Sequence, residues 1–91
     1  MVTSIILINA ERTRINDIAG QLQETSGVSE VYSVSGSYDL VAIIRVANND
    51  DLAKLVTEEM NRIDGIVHTE TMLAFKAYSK HDLESMFALG M

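Results

Sequence analysis

The stretch Val31-Tyr32-Ser33-Val34-Ser35-Gly36-Ser37-Tyr38-Asp39-Leu40-Val41-Ala42-Ile43-Ile44-Arg45-Val46 decides the fold. Two apolar runs flank the turn Ser35–Asp39. β-branched and aromatic residues bounded by Gly and Ser read as a hairpin. The second run, Leu40–Ile44, is apolar on both of its faces, so it must be covered on both sides. The hairpin is therefore placed at the centre of a small sheet, with its turn as the working part.

Upstream, Val2 to Asn9 reads as a first strand. Ile5, Ile6, Leu7 and Ile8 again put apolar groups on both faces. After the polar break Glu11–Arg14, Thr13 is read as a helix N-cap. Ile15, Ile18, Ala19 and Leu22 follow the i, i+3, i+4, i+7 spacing of an amphipathic helix, and Gly27 sits where a terminating glycine belongs. The second strand is expected over Val28–Ser35 and the third over Tyr38–Val46. Downstream, Asn48-Asn49-Asp50-Asp51 opens a second helix with capping and acidic side chains at its positive end. Leu52, Leu55, Val56, Met60 and Ile63 form its buried stripe, and Gly65 stops it. A long fourth strand is expected over Ile66–Ser79. Ser79-Lys80-His81-Asp82 then opens a short tail helix with Leu83, Met86 and Phe87 on one face.

The order β-α-β-β-α-β carries a faint repeat. Gly27-Val28 corresponds to Gly65-Ile66, Ile18 to Val56 and Leu22 to Met60. Two such halves make an α+β, ferredoxin-like sandwich: a four-stranded antiparallel sheet with two helices on one face, here plus the short C-terminal helix. The 91 residues form one domain. Two helices cover one sheet face only, while the first and third strands are apolar on both. The uncovered face predicts an interface, most simply a two-fold homodimer packed sheet to sheet.

Thirteen acidic against seven basic residues give a net charge of −6, a balance that repels a phosphate backbone, so direct nucleic-acid binding is not expected. The apolar runs fall far short of the ~20 residues of a membrane helix, and no secretory signal is visible. The absence of cysteine fits the cytoplasm. Two histidines thirteen apart suggest no metal site. No phosphate loop, nucleophile elbow or nucleophile–base pair is apparent, and neither catalytic residues nor a cofactor are expected.

The pattern Gly27-Val28-x-x-Val31, Gly36-x-Tyr38-Asp39-Leu40, Gly65-Ile66, Thr69-x-Thr71 resembles the effector-binding (RAM) domain of the Lrp/AsnC regulators of amino-acid metabolism. The likeness runs from the first strand through Lys76, and the Gly-x-Tyr-Asp turn is its most specific piece. The resemblance implies a stand-alone effector-binding and oligomerisation module without the helix-turn-helix domain of full-length members. It implies a sheet-to-sheet dimer that assembles further into an octamer of four dimers. The effector, a free amino acid, would sit at the contact between dimers. One wall would come from the turn and another from the fourth strand of a neighbour. Co-assembly with a full-length Lrp/AsnC regulator is the partner it suggests.

The turn has the chemistry for this. A zwitterion needs donors for its carboxylate and acceptors for its ammonium. Backbone N–H groups of a glycine-containing turn form an anion-binding nest, and Gly36 permits close approach. Ser37 offers a hydroxyl, Tyr38 a wall with a polar handle, and Asp39 an acceptor. Asp39 is equally readable as a brace within its own loop. Thr69 and Thr71, on one face of the fourth strand, offer hydroxyls, or are ordinary strand residues. His68 falls on the opposite face with Glu70 and Met72 and is read as a surface or interface residue; His81 is read as solvated. Two other readings stay open: a dimeric α+β barrel enzyme of the small monooxygenase or isomerase type, and an assembly domain with no ligand. An ACT-type amino-acid site is disfavoured, because Asn9–Arg14 lacks glycine.

Overall fold

A computed structural model describes residues 1–78. Its elements are β1 (Val2–Ala10), α1 (Ile15–Glu24), β2 (Val28–Ser33), β3 (Leu40–Val46), α2 (Asn49–Lys54) and β4 (Ile66–Leu73). All four strands form one antiparallel sheet in the order β2-β3-β1-β4. The hairpin thus contributes one inner strand, β3, and one edge strand, β2. The two strands with doubled apolar faces, β1 and β3, are the inner pair.

Register divides the sheet cleanly. Directly opposed residues share a face. Ser4, Ile6 and Ile8 of β1 lie opposite Ile44, Ala42 and Leu40 of β3, and all six are buried. Ile15, Ile18, Ala19 and Leu22 from α1 close over them, together with Leu52, Leu55, Val56, Met60 and Ile63 from the second helical segment. Both predicted helical stripes therefore face one core. Burying a side chain such as Ile18 or Leu22 contributes roughly 1.5–3 kcal/mol. The alternate row faces away from the helices: Ile5 and Leu7 of β1, Val41 and Ile43 of β3, Tyr32 of β2 and Met72 of β4. Here Tyr32 is 50% exposed and Met72 42%.

Several element ends differ from the sequence reading. Thr13 does not cap α1. Arg14 N–H donates to the Glu11 carbonyl in a tight turn over Arg12–Arg14, so the chain is already helical there, and a cap needs extended backbone. Asn48 does cap α2: its Oδ1 accepts the Asp51 N–H at 2.8 Å. The helix then widens to a π-type segment over Leu55–Glu59 and tightens again over Met60–Arg62. β4 stops at Leu73 rather than Ser79 because its partner runs out. Ala74 N–H still reaches the Thr3 carbonyl, but only Val2 of β1 remains beyond it, and Phe75 is 97% exposed. The predicted tail helix with Leu83, Met86 and Phe87 lies outside the described residues.

The repeat is visible as packing. Gly27 and Gly65, the two glycines after the helices, both have positive φ, +95° and +99°. Each lies against the helix of the other half, Gly27 against Leu55 and Gly65 against Ile18.

Candidate functional site

The turn between β2 and β3 is wider than the sequence suggested. β2 ends at Ser33 and β3 begins at Leu40, and Val34 N–H donates to the Asp39 carbonyl across the neck. Asp39 fixes this turn to the inner strand. Its N–H donates to the Ile8 carbonyl at 2.9 Å, and its Oδ2 accepts the Ala10 N–H at 2.9 Å. The β1–β4 register slips between Asn9 and Ala10. On the β3 side, the Asp39 carboxylate accepts the Ala10 N–H just beyond the last β1–β3 pair, Ile8 and Leu40. One carboxylate oxygen therefore braces the loop.

Tyr38 reaches across to β4. Its ring stacks near-parallel on His68, with centroids 6.5 Å apart and planes at 21°. Its OH donates to Glu70 Oε2 at 2.7 Å. That hydrogen bond, then desolvation and the Glu70 charge, push the phenol above its ordinary pKa. Gly36 and Ser37 stand at the exposed tip. Gly36 has φ +108°, and no atom lies within 4 Å of where a Cβ would be. The N–H groups of Gly36 and Ser37 meet no backbone acceptor among the described residues.

Thr69 and Thr71 lie elsewhere. They pair with Ile8 and Ile6 and so belong to the helix-side face, whereas Tyr38 leans on the opposite one. Thr69 is two strands from Leu40 in the row Leu40–Ile8–Thr69, about 10 Å away at the usual strand spacing. Within one chain the structure brings Gly36, Ser37, Tyr38 and Asp39 together and leaves Thr69 and Thr71 apart. The residues that the sequence reading missed are Glu70 and the Ala10 N–H; His68 was assigned no role at the turn. The strand order held the signal. With β1 between β3 and β4, the start of β3 and the start of β4 flank the same end of β1.

Two concavities exist away from the turn. One, about 470 Å³, lies at the far end of β3 and is lined by Gly27, Arg45, Val46, Asp51, Lys54 and Leu55 among others. The other, about 240 Å³, lies between Met60, Ile63, His68 and Thr69. Neither includes Gly36 or Ser37. The first faces two cations with carboxylates of its own and has no deeply buried polar group, so the hydrogen-bonding geometry of the turn is the better guide. Among the described residues no cluster of His, Asp and Glu could hold a metal ion. No described helix is long and apolar enough to cross a membrane.

The family profile of the Lrp/AsnC ligand-binding domain matches residues 3–83. The HTH-type transcriptional regulator YugG of Bacillus subtilis is 32% identical over 84 residues, covering 89% of this chain and 50% of the regulator. This chain spans about half the length of the curated relatives it matches. Among solved structures, TTHA0845 of Thermus thermophilus superimposes with a TM-score of 0.82 at 39% identity, over 88% of this chain and 100% of that one. The feast or famine regulatory protein Rv3291c of M. tuberculosis, complexed with L-methionine, shares the fold at 21% identity. Its TM-score is 0.72, over 88% of this chain and 54% of that one.

Proposed function

The chain belongs to the Lrp/AsnC ligand-binding domain family, and from that premise we propose that it is an amino-acid-sensing oligomerisation module of a cytoplasmic transcription regulator, and not an enzyme. The observation that carries the reading is the Gly36–Asp39 turn, anchored to β1 through Asp39 with its glycine tip open to solvent. The free N–H groups and the Ser37 hydroxyl suit a carboxylate. The Asp39 oxygen not used by Ala10 suits an ammonium. Rv3291c, which shares the fold, was solved with L-methionine, a ligand of the same zwitterionic class.

The site is completed between subunits. Thr69 and Thr71 lie on the sheet face opposite to the one on which Tyr38 of their own chain leans, which suits them to the turn of a neighbour. A second copy covers the apolar row Ile5, Leu7, Val41 and Ile43, making a sheet-to-sheet dimer. Four dimers form an octamer with ligands at the contacts between them, and co-assembly with an HTH-type regulator of the family is the route to DNA. A ligand that prefers one assembly state shifts the equilibrium by that preference. Thermal-shift titration against the twenty amino acids tests this. At least one is expected to raise the unfolding midpoint at millimolar concentration. Stabilisation by none would reject the sensing reading.

A further inference from the structure

Strand β4 sends alternate side chains to opposite faces, and beside the turn it presents His68 and Glu70 to the helix-free side. Tyr38 closes over both, stacked on His68 and hydrogen-bonded to Glu70 at 2.7 Å. With Asp39 tied to Ala10, the turn is clamped from two directions, to β1 through a carboxylate and to β4 through a phenol. Both anchors lie on the C-terminal side of the tip. Ser35, Gly36 and Ser37 are exposed, and Gly36 has no non-local contact. The backbone bonds from Val34 N–H to the Asp39 carbonyl and from Asp39 N–H to the Ile8 carbonyl close the neck of the loop, and these two side-chain anchors add the direction in which the tip presents its N–H groups.

The geometry points to Glu70 and His68 as positioning residues of the effector site. They act through Tyr38, holding the Gly36–Ser37 segment in the conformation that receives the carboxylate of an amino acid. This rests on the reading of the turn as the effector site. It adds that the Tyr38 hydroxyl is committed to Glu70 and is not a ligand contact. It also adds that affinity depends on two β4 side chains that do not touch the ligand. A loop fixed in its binding conformation before the ligand arrives loses less freedom on binding.

The experiment uses the full chain and its Glu70→Ala, Glu70→Gln, Tyr38→Phe, His68→Leu and Tyr38→Phe/Glu70→Ala variants. Hydrogen exchange at the Val34, Asp39 and Ala10 amides, whose hydrogen bonds hold the turn, is measured without ligand, and L-methionine binding by calorimetry. Glu70→Ala and Tyr38→Phe are each expected to speed exchange at these amides, and to weaken L-methionine binding, by about fivefold to tenfold, the usual net weight of one exposed intramolecular hydrogen bond. The double variant is expected to be no worse than either single one, because both remove the same bond. Glu70→Gln, which keeps an acceptor, is expected to restore both quantities, and His68→Leu to speed exchange to a smaller degree. Exchange rates unchanged in Glu70→Ala would overturn the proposal, as would Tyr38 and Glu70 effects that simply add. If L-methionine binds no form, wild type included, that weighs against the sensing reading, while exchange at the turn still decides the clamp.

Discussion

Replacing Gly65 by alanine tests whether the junction between the second helix and β4 is a packed joint or only a turn. Two costs are separable. The backbone φ of +99° is a region that costs an L residue about 1–2 kcal/mol. The second cost is space. A Cβ at Gly65 would stand 2.9 Å from Ile18 Cδ1 and 3.3 Å from Arg14 Cδ. The arginine can give way. Ile18 is wholly buried, so its methyl can move only into other core atoms, and overpacking of that kind costs about 1–3 kcal/mol. Shifting the backbone instead would strain the bond from Glu11 N–H to the Gly65 carbonyl. The expected loss is about 2–5 kcal/mol. Gly36→Ala is the control: φ is +108°, but nothing lies within 4 Å, so only the conformational part, about 1–2 kcal/mol, remains. Gly20, exposed within α1 with nothing within 4 Å, should instead gain about 0.5–1 kcal/mol on becoming alanine. Urea unfolding at one fixed protomer concentration reads all three, since oligomers unfold in a concentration-dependent way. The expected order of stability is Gly20→Ala, wild type, Gly36→Ala, Gly65→Ala. A Gly65→Ala variant no worse than Gly36→Ala would refute the packed joint.

Three further outcomes are expected. Asn48→Ala removes the cap on Asp51 N–H and should cost about 1 kcal/mol in urea unfolding, most of it regained in Asn48→Ser. The Tyr38 phenol is held above its ordinary value of 10.0, chiefly by its hydrogen bond to Glu70. Because the folded state binds that proton more tightly, the associated stability is complete below the ordinary value and is lost as pH rises through the higher folded value. Phenolate absorbance in Glu70→Ala should accordingly appear at lower pH than in wild type. Ile43→Glu places a charge in the middle of the helix-free face, opposite Ile5. Sedimentation velocity should show it shifted toward the monomer, and an unchanged oligomer would mean that this face is not the interface.

The elements and their order were legible because each is announced locally. The helical stripes Ile15–Leu22 and Leu52–Ile63 repeat at the helix period, and Gly27 and Gly65 end what precedes them. The doubled apolar faces of β1 and β3 marked the inner strands. Strand ends were not legible, because a strand ends where its partner does. Phe75 looked as strand-like as Leu73, yet the last bond to β1 is made by Ala74. The start of α1 was obscured for a related reason: the capping chemistry of Thr13 was readable, but not the Glu11–Gly65 contact that bends the chain before it.

At the turn, Gly36 and Asp39 could be read as turn chemistry without knowing what Asp39 would brace, since Ala10 is twenty-nine residues away. The parity of β4 was also readable: Thr69 and Thr71 on one side, His68, Glu70 and Met72 on the other. Which side faces the helices depends on register, and a slip of one residue would reverse it. In the slipped register Glu70 would be turned to the helix side, where its neighbour on β1 would be a buried isoleucine, and an unpaired carboxylate there is costly. In the observed register it faces outward opposite Leu7 and accepts the Tyr38 hydroxyl. The same charge that disfavours the wrong register therefore supplies the acceptor that holds the turn. A residue that reads in isolation as a solvated strand position thereby links the register of an edge strand to the shape of the candidate site.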